Sequence, residues 1–175
     1  MKIEDIMKQE KKLYMMNNPK KLLKGIICRE HGWIIWRYMV WLRREEKYEK
    51  RKIYALLRYY CRRRRNIIGE RIGFTIGLDA LCGPTLIWHY GSIVINGHAK
   101  IGQNCILHGR NCIGNNGYQE ECPTIGDNVE FGVGASAIGD IYIANGIKIG
   151  AGAIVVNSFY EEGITIAGIP ARRVR

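Results

Sequence analysis

A mainly β chain, coiled as a stack of short parallel strands and preceded by a basic helical segment, is the fold class the sequence predicts. Three observations carry it. Apolar residues recur every six positions through the C-terminal part, small or turn-forming residues follow them in phase, and almost all of the positive charge lies in the N-terminal part. The chain has 175 residues, 47% apolar and 25% charged, which excludes wholesale disorder and suits one domain with a helical appendage. Its 21 glycines follow no three-residue period and only 4 prolines accompany them, so collagen is excluded.

The net charge of +11 is unevenly spread. Residues 1–70 hold 20 Lys and Arg against 8 Asp and Glu, and residues 71–175 hold 7 against 8. Two domains follow: a basic helical one over 1–70 and a near-neutral β domain over 71–175. Residues 3–15 are good helix formers with Ile3, Ile6, Met7 and Leu13 at roughly helical spacing. Asn17, Asn18 and Pro19 break that segment, and Pro19 is placed to start the next. Residues 30–48 carry an apolar stripe of Ile34, Ile35, Tyr38, Trp41 and Leu42. Residues 50–65 carry another, of Ile53, Leu56, Leu57 and Tyr60, ending on the run Arg62 to Arg65.

The basic helices admit two readings. In one, their stripes pack on each other and on the β domain, and the charges are a solvated face. In the other, Trp-rich cationic helices lie against an anionic membrane or a lipid-linked glycan. Nucleic acid is not expected, because no recognition motif accompanies the charge. Met1 to Lys12 is charged throughout and shows no secretory signal. The longest apolar run, Trp33 to Leu42, is broken by Arg37 and is too short to span a bilayer. The expected location is the cytoplasm, including the inner face of the membrane. The six cysteines, at 28, 61, 82, 105, 112 and 122, have no CxxC spacing and are expected to be reduced thiols, mostly small buried hydrophobes.

Taken every sixth residue from 95, the chain reads Ile95, Ile101, Leu107, Ile113, Gln119, Ile125, Phe131, Ala137, Ile143, Ile149 and Val155, ten of eleven apolar. Glycine follows at 102, 114, 126, 132 and 150. The residue four places on is mostly small or β-branched, as at Ala99, Cys105, Val129, Ala135, Ile147 and Ala153. A period of six is neither helical nor alternating; it is one short strand and one turn, repeated. Three units close a triangular coil of about 18 residues, with aliphatics inside and φ-permissive residues at the turns. Coils stack at about 4.8 Å. The arithmetic predicts one inner ladder of Ile95, Ile113, Phe131 and Ile149 and another of Leu107, Ile125 and Ile143. Each buried aliphatic contributes roughly 1.5–3 kcal/mol. Gln119, the one polar ladder position, marks Gly114 to Thr124 as a protruding loop that is expected to reach a neighbouring subunit's active site.

An ordered set of motifs runs through residues 72–175. It opens with His89-Tyr90-Gly91-Ser92-Ile93-Val94-Ile95-Asn96 and Ala99-Lys100-Ile101-Gly102. Pro123-Thr124-Ile125-Gly126-Asp127-Asn128-Val129, Gly132-Val133-Gly134-Ala135 and Ile149-Gly150-Ala151-Gly152-Ala153 follow, and it closes with Ala167-Gly168-Ile169-Pro170-Ala171-Arg172. This set resembles the hexapeptide-repeat acyltransferase superfamily, within it the serine acetyltransferase-like group, and there most nearly the O-acetyltransferases of polysaccharide biosynthesis. The resemblance implies a left-handed parallel β-helix, where the usual crossover rule would give a right-handed one. It also implies a homotrimer or a dimer of trimers, acetyl-CoA as co-substrate, and no metal.

His89 stands at the family's catalytic position. The resemblance makes it the general base that takes the proton of an acceptor hydroxyl as the oxygen attacks the thioester carbonyl. Imidazole titrates close enough to neutrality for that task. His108, nineteen residues on, is expected one coil away over Tyr90, at the acceptor or as a turn residue. Trp88 offers a sugar ring a stacking face, or simply packs. For the donor, the resemblance implies Gly134, Ala135 and Ser136, with Ala151, Gly152 and Ala153, along a groove between subunits; the same residues also read as tight turns. Pro170, Ala171 and Arg172, with Arg173, are implied near the CoA phosphates.

Serine-specific members have an Asp before the catalytic His and an Arg-His pair before a later Pro. Here those places hold Trp88 and Glu121-Cys122, and an acidic Glu121 repels a carboxylate. The expected acceptor is therefore a sugar hydroxyl in surface-polysaccharide synthesis, with serine O-acetyltransferase of cysteine biosynthesis as the alternative. A non-enzymatic β-helix scaffold is a second alternative. A zinc carbonic anhydrase on the same helix needs three meeting histidines, and the spacings 9, 10 and 19 among His89, His98 and His108 do not suit it. Cys112 or Cys122 as an acyl-carrying nucleophile is a further rival. His31 and His98 are expected to be structural.

Overall fold

The computed structural model describes residues 1–49 and 52–174, and the chain divides into two compact units, Met1–Gly73 and Phe74–Arg175. Lys50, Arg51 and Arg175, which the expected second striped helix and β domain include, lie outside the described residues.

The first unit is built of α1 (Ile3–Leu13), α2 (Pro19–Cys28), α3 (His31–Glu49) and α4 (Ala55–Ile72), with a short 3-10 turn at Lys52–Tyr54. Pro19 opens α2 as expected, and the Asn18 side chain caps it by accepting from the backbone N–H groups of Lys20 and Lys21 at 3.0 and 3.3 Å. On α3, Ile35, Tyr38, Met39 and Leu42 are buried.

Helix α4 departs from expectation. It runs on to Ile72, so the four arginines lie within it. Its buried residues are Cys61, Ile68, Gly69 and Ile72, while Ile53 and Leu56 are each 87% exposed. Ion pairing explains the rotation. Glu45 on α3 is buried, and Arg62 and Arg65 reach it through their Nε atoms at 2.8 and 3.3 Å. A buried carboxylate must be paired, so the arginine face of α4 turns toward α3 and the aliphatic stripe turns away. A second buried cluster joins α1 to α3: Arg43 donates through Nη2 to Glu10 at 2.8 Å and through Nη1 to Glu46 at 3.1 Å. Burial alone would lower the proton affinity of Arg43; the two carboxylates outweigh it and hold its pKa above the ordinary value.

The second unit is a three-faced parallel β-helix. The first face stacks β1 (Phe74–Ile76), β3 (Ile93–Ile95), β6 (Cys112–Gly114), β9 (Ser136–Ile138) and β12 (Ile154–Val155). The second stacks β4 (Lys100–Ile101), β7 (Thr124–Ile125) and β10 (Tyr142–Ile143). The third stacks β2 (Thr85–Ile87), β5 (Cys105–Leu107), β8 (Glu130–Phe131), β11 (Lys148–Ile149) and β13 (Thr165–Gly168), and closes with antiparallel β14 (Ala171–Arg173).

The inner ladders are therefore Ile76, Ile95, Ile113, Ala137 and Val155 on the first face, and Leu81, Ile101, Ile125, Ile143 and Phe159 on the second. The third face stacks Ile87, Leu107, Phe131, Ile149 and Ile166. The predicted ladders are corrected at two steps: Ile113 leads to Ala137, and Leu107 to Phe131. The cause is the loop between β6 and β7. It lengthens the coil by one whole hexad, which preserves the six-residue phase but moves every later residue on by one face. Gln119 is accordingly an exposed loop residue with no place in a ladder, beside Tyr118, which is 95% exposed.

Candidate active site

The edge where the third face turns into the first carries most of the expected site residues. Its successive corners are His89–Ser92, Gly109–Asn111, Val133–Ala135 and Ala151–Ala153. Backbone bonds stack them: Gly134 N–H donates to Gly109 O at 2.9 Å, and Gly152 N–H to Val133 O at 2.8 Å. A Cβ at Gly109 would lie 3.4 Å from the His89 Cβ, so the glycine leaves His89 its room. Gly134 and Gly152 take φ of +73° and +68°, which glycine adopts without strain.

Asn111 fastens this edge. It is buried; its Oδ1 accepts from Gly109 N–H at 3.0 Å, and its Nδ2 donates to Gly132 O and Ala135 O at 2.9 and 3.0 Å. Asn111→Ala is expected to cost about 1–3 kcal/mol, because buried backbone groups lose their partners. A denaturant melt of the variant measures it, and an unchanged midpoint would contradict the buckle.

His89 is exposed at the first corner. His108 stacks over Trp88, with ring centroids 6.4 Å apart and planes 28° from parallel. The expected place over Tyr90 is corrected: this coil advances 20 residues, from Ile87 to Leu107, so a nineteen-residue step lands one position early. His108 Nε2 lies 2.8 Å from Glu130 Oε1. Below His108 the same column continues through Gly132 and Gly150, where an added Cβ would run into the next coil, 2.6 Å from Ala151 N and 2.9 Å from the Ala167 Cβ. Tyr90 is exposed at the corner beside His89.

Other expected residues fall elsewhere. Ser136 faces out from the first face, in register with Cys112 and Ile154. Ile169 and Pro170 form the β13–β14 turn at the foot of the edge, and Ala171 opens β14 paired with Gly168. Arg172 is exposed and donates to Ala171 O at 3.1 Å, while Arg173 is held by Glu161 at 2.6 Å. His98 sits at a different edge, between the first and second faces. There it lines a cleft of about 430 Å³ with Glu120, Glu121, Cys122 and Asp140. Within one chain, then, Glu121 and Cys122 do not join His89.

Burial pushes the Cys122 thiol up and raises that of Cys105 to about 12, which disfavours the thiolate a nucleophile needs. All six cysteines are free, with Cys61, Cys105 and Cys122 buried. Among the described residues, no group of three His, Cys, Asp or Glu side chains is placed to hold a metal ion. Also among them, no helix is long and apolar enough to cross a membrane. Glu130 and Asn111 escaped sequence reasoning. Glu130 precedes a ladder residue and so points outward, but its partner depends on the true coil length.

No family model matches the chain. The serine acetyltransferase of Staphylococcus xylosus is 31% identical over 148 residues, covering 81% of this chain and 62% of that one. An Escherichia coli K12 protein provisionally named colanic acid biosynthesis acetyltransferase WcaB is 31% identical over 96 residues, covering 54% of this chain and 59% of that one. Among solved structures, the serine acetyltransferase of Neisseria gonorrhoeae is 26% identical with a TM-score of 0.73, covering 99% of this chain and 66% of that one. The chain spans less than two thirds of the length of the curated relatives it matches. These likenesses bear out the resemblance to the serine acetyltransferase-like group of the hexapeptide-repeat acyltransferases. The fold is the group's left-handed β-helix with an N-terminal helical region.

Proposed function

We propose that the chain transfers an acetyl group from acetyl-CoA to a hydroxyl acceptor, with His89 as general base. The observation that carries this is the exposed imidazole at the head of an edge whose lower corners turn through the glycines Gly134 and Gly152. From the His89 corner to the β13–β14 turn is four strand steps, about 19 Å. An extended pantetheine arm is of similar length, and Gly134 and Gly152, where an added Cβ would meet nothing nearer than 3.9 Å, leave backbone open to it. Three copies packed side by side, as in the proposed homotrimer, turn this edge into a groove and bring a neighbour's Glu121–Cys122 loop to it. His89 accepts the acceptor's hydroxyl proton, the new C–O bond forms as the C–S bond breaks, and the imidazolium returns the proton to the leaving thiolate. His108, held by Glu130, and Trp88 line the acceptor side. Arg172 stands near the turn for the CoA phosphates.

Two acceptors remain in play. The similar proteins are mostly named serine acetyltransferases, and that favours L-serine over a sugar. The Trp88–His108 ledge beside His89 favours the flat face of a sugar ring. Acetyl-CoA consumption against L-serine and a panel of sugars separates them. Efficient turnover with serine alone would reject the sugar reading, and turnover with no acceptor would reject transferase activity.

A further inference from the structure

Helix α2 combines features that the proposed catalysis does not use. Its back rests on α3 through Gly25, where an added Cβ would lie 2.8 Å from the Trp33 Cβ. Its outer side shows Leu23 at 59% exposure, Ile26 at 47% and Ile27 at 70%. At helical spacing Leu23 and Ile27 are neighbours one turn apart, with Ile26 completing a stripe. Lys20 and Lys24, also one turn apart, flank that stripe, and Lys21 follows beyond. The helix contains no acidic residue.

The cations of α2 differ in situation from the arginines of α3 and α4. Arg43, Arg62 and Arg65 are paired to carboxylates, and Arg37, Arg44 and Arg64 lie over the rings of Trp33 and Trp41. On α2, Lys24 reaches Glu30 at 2.7 Å between two exposed groups, a pair that water largely screens, and Lys21 Nζ lies 2.9 Å from the Met15 sulfur.

We infer that α2 is an interfacial anchor that lays Leu23, Ile26 and Ile27 into an anionic phospholipid surface while Lys20, Lys21 and Lys24 meet the headgroups. An apolar stripe flanked by lysines on a short exposed helix is the pattern such surfaces bind. Charge selects this occupant over a second copy of the chain: the α2 helix carries Lys20, Lys21 and Lys24 with no acidic residue, and two such faces repel each other. The helix lies in the headgroup region and does not span the bilayer.

The test is co-sedimentation of the full chain with vesicles of phosphatidylcholine alone or of equal parts phosphatidylcholine and phosphatidylglycerol. The expected result is binding to the anionic vesicles only, weakened by high salt. Leu23→Ser with Ile27→Ser is expected to lower that binding at least about tenfold. Lys20→Gln with Lys24→Gln is expected to lower it about thirtyfold, from about 1 kcal/mol per cation. Both variants should keep the wild-type thermal melt, which separates lost binding from lost folding. Wild-type chain that stays in the supernatant with anionic vesicles overturns the inference. So does a serine variant that binds as well as wild type, or one that instead breaks up a self-assembled species. Acetyl transfer in solution is untouched by these outcomes.

Discussion

Replacing His89 with alanine is expected to slow acetyl transfer by about 10²–10⁴ while leaving CoA affinity within about twofold. The side chain is exposed at a corner held by its own backbone bonds, so its loss removes a proton acceptor without opening a cavity in the ladder. Release of CoA thiol at saturating acceptor gives the rate, and titration with CoA gives the affinity. A variant as fast as wild type would remove His89 from the chemistry. His108→Ala is expected to raise the acceptor's KM more than it lowers kcat, because His108 stacks on Trp88 beside the base and is held by Glu130.

The largest stability effect is expected at Arg43. Its guanidinium is buried between Glu10 of α1 and Glu46 of its own helix, at 2.8 and 3.1 Å. Arg43→Met removes the cation that both buried carboxylates share, which costs about 3–5 kcal/mol. That is a large share of the roughly 5–15 kcal/mol by which domains are stable. The loss should fall on the helical unit, because the β unit holds its own ladders. Hydrogen exchange should therefore quicken in α1 and α3 and stay slow in β5, β8 and β11. Replacing Glu10 and Glu46 by leucine together with Arg43→Met should recover most of the loss, since apolar groups of like volume replace such clusters at little cost. Uniformly quickened exchange, or no change, would contradict this.

Much of the architecture is legible in the sequence because hexads write both the ladder and the turn. Ile95 over Ile113, and Ile125 over Ile143, follow from an 18-residue coil. The face of each later residue does not, because an inserted loop of one hexad is invisible to a six-residue period. Phe131 is in phase and yet one face away from its predicted neighbours. His108 was misplaced for another reason: its coil holds 20 residues, two more than three hexads, so it lies over Trp88 where an 18-residue step gives Tyr90. The helical unit shows a different limit. Ile53, Leu56 and Tyr60 form a fair apolar stripe, but the buried Glu45 recruits Arg62 and Arg65 and turns that stripe outward; a carboxylate's burial is a tertiary fact that local spacing does not carry. At the candidate site, His89 and the small corners were readable through resemblance. Asn111 and Glu130 required knowing which corner lies above which.

The most direct measurement of the central claim is a crystal structure of the chain with CoA bound. The account predicts the thiol within about 4 Å of the His89 ring and the pantetheine running down the edge past Gly134 and Gly152. CoA seated elsewhere, with its thiol beside His98 or remote from both histidines, would contradict it.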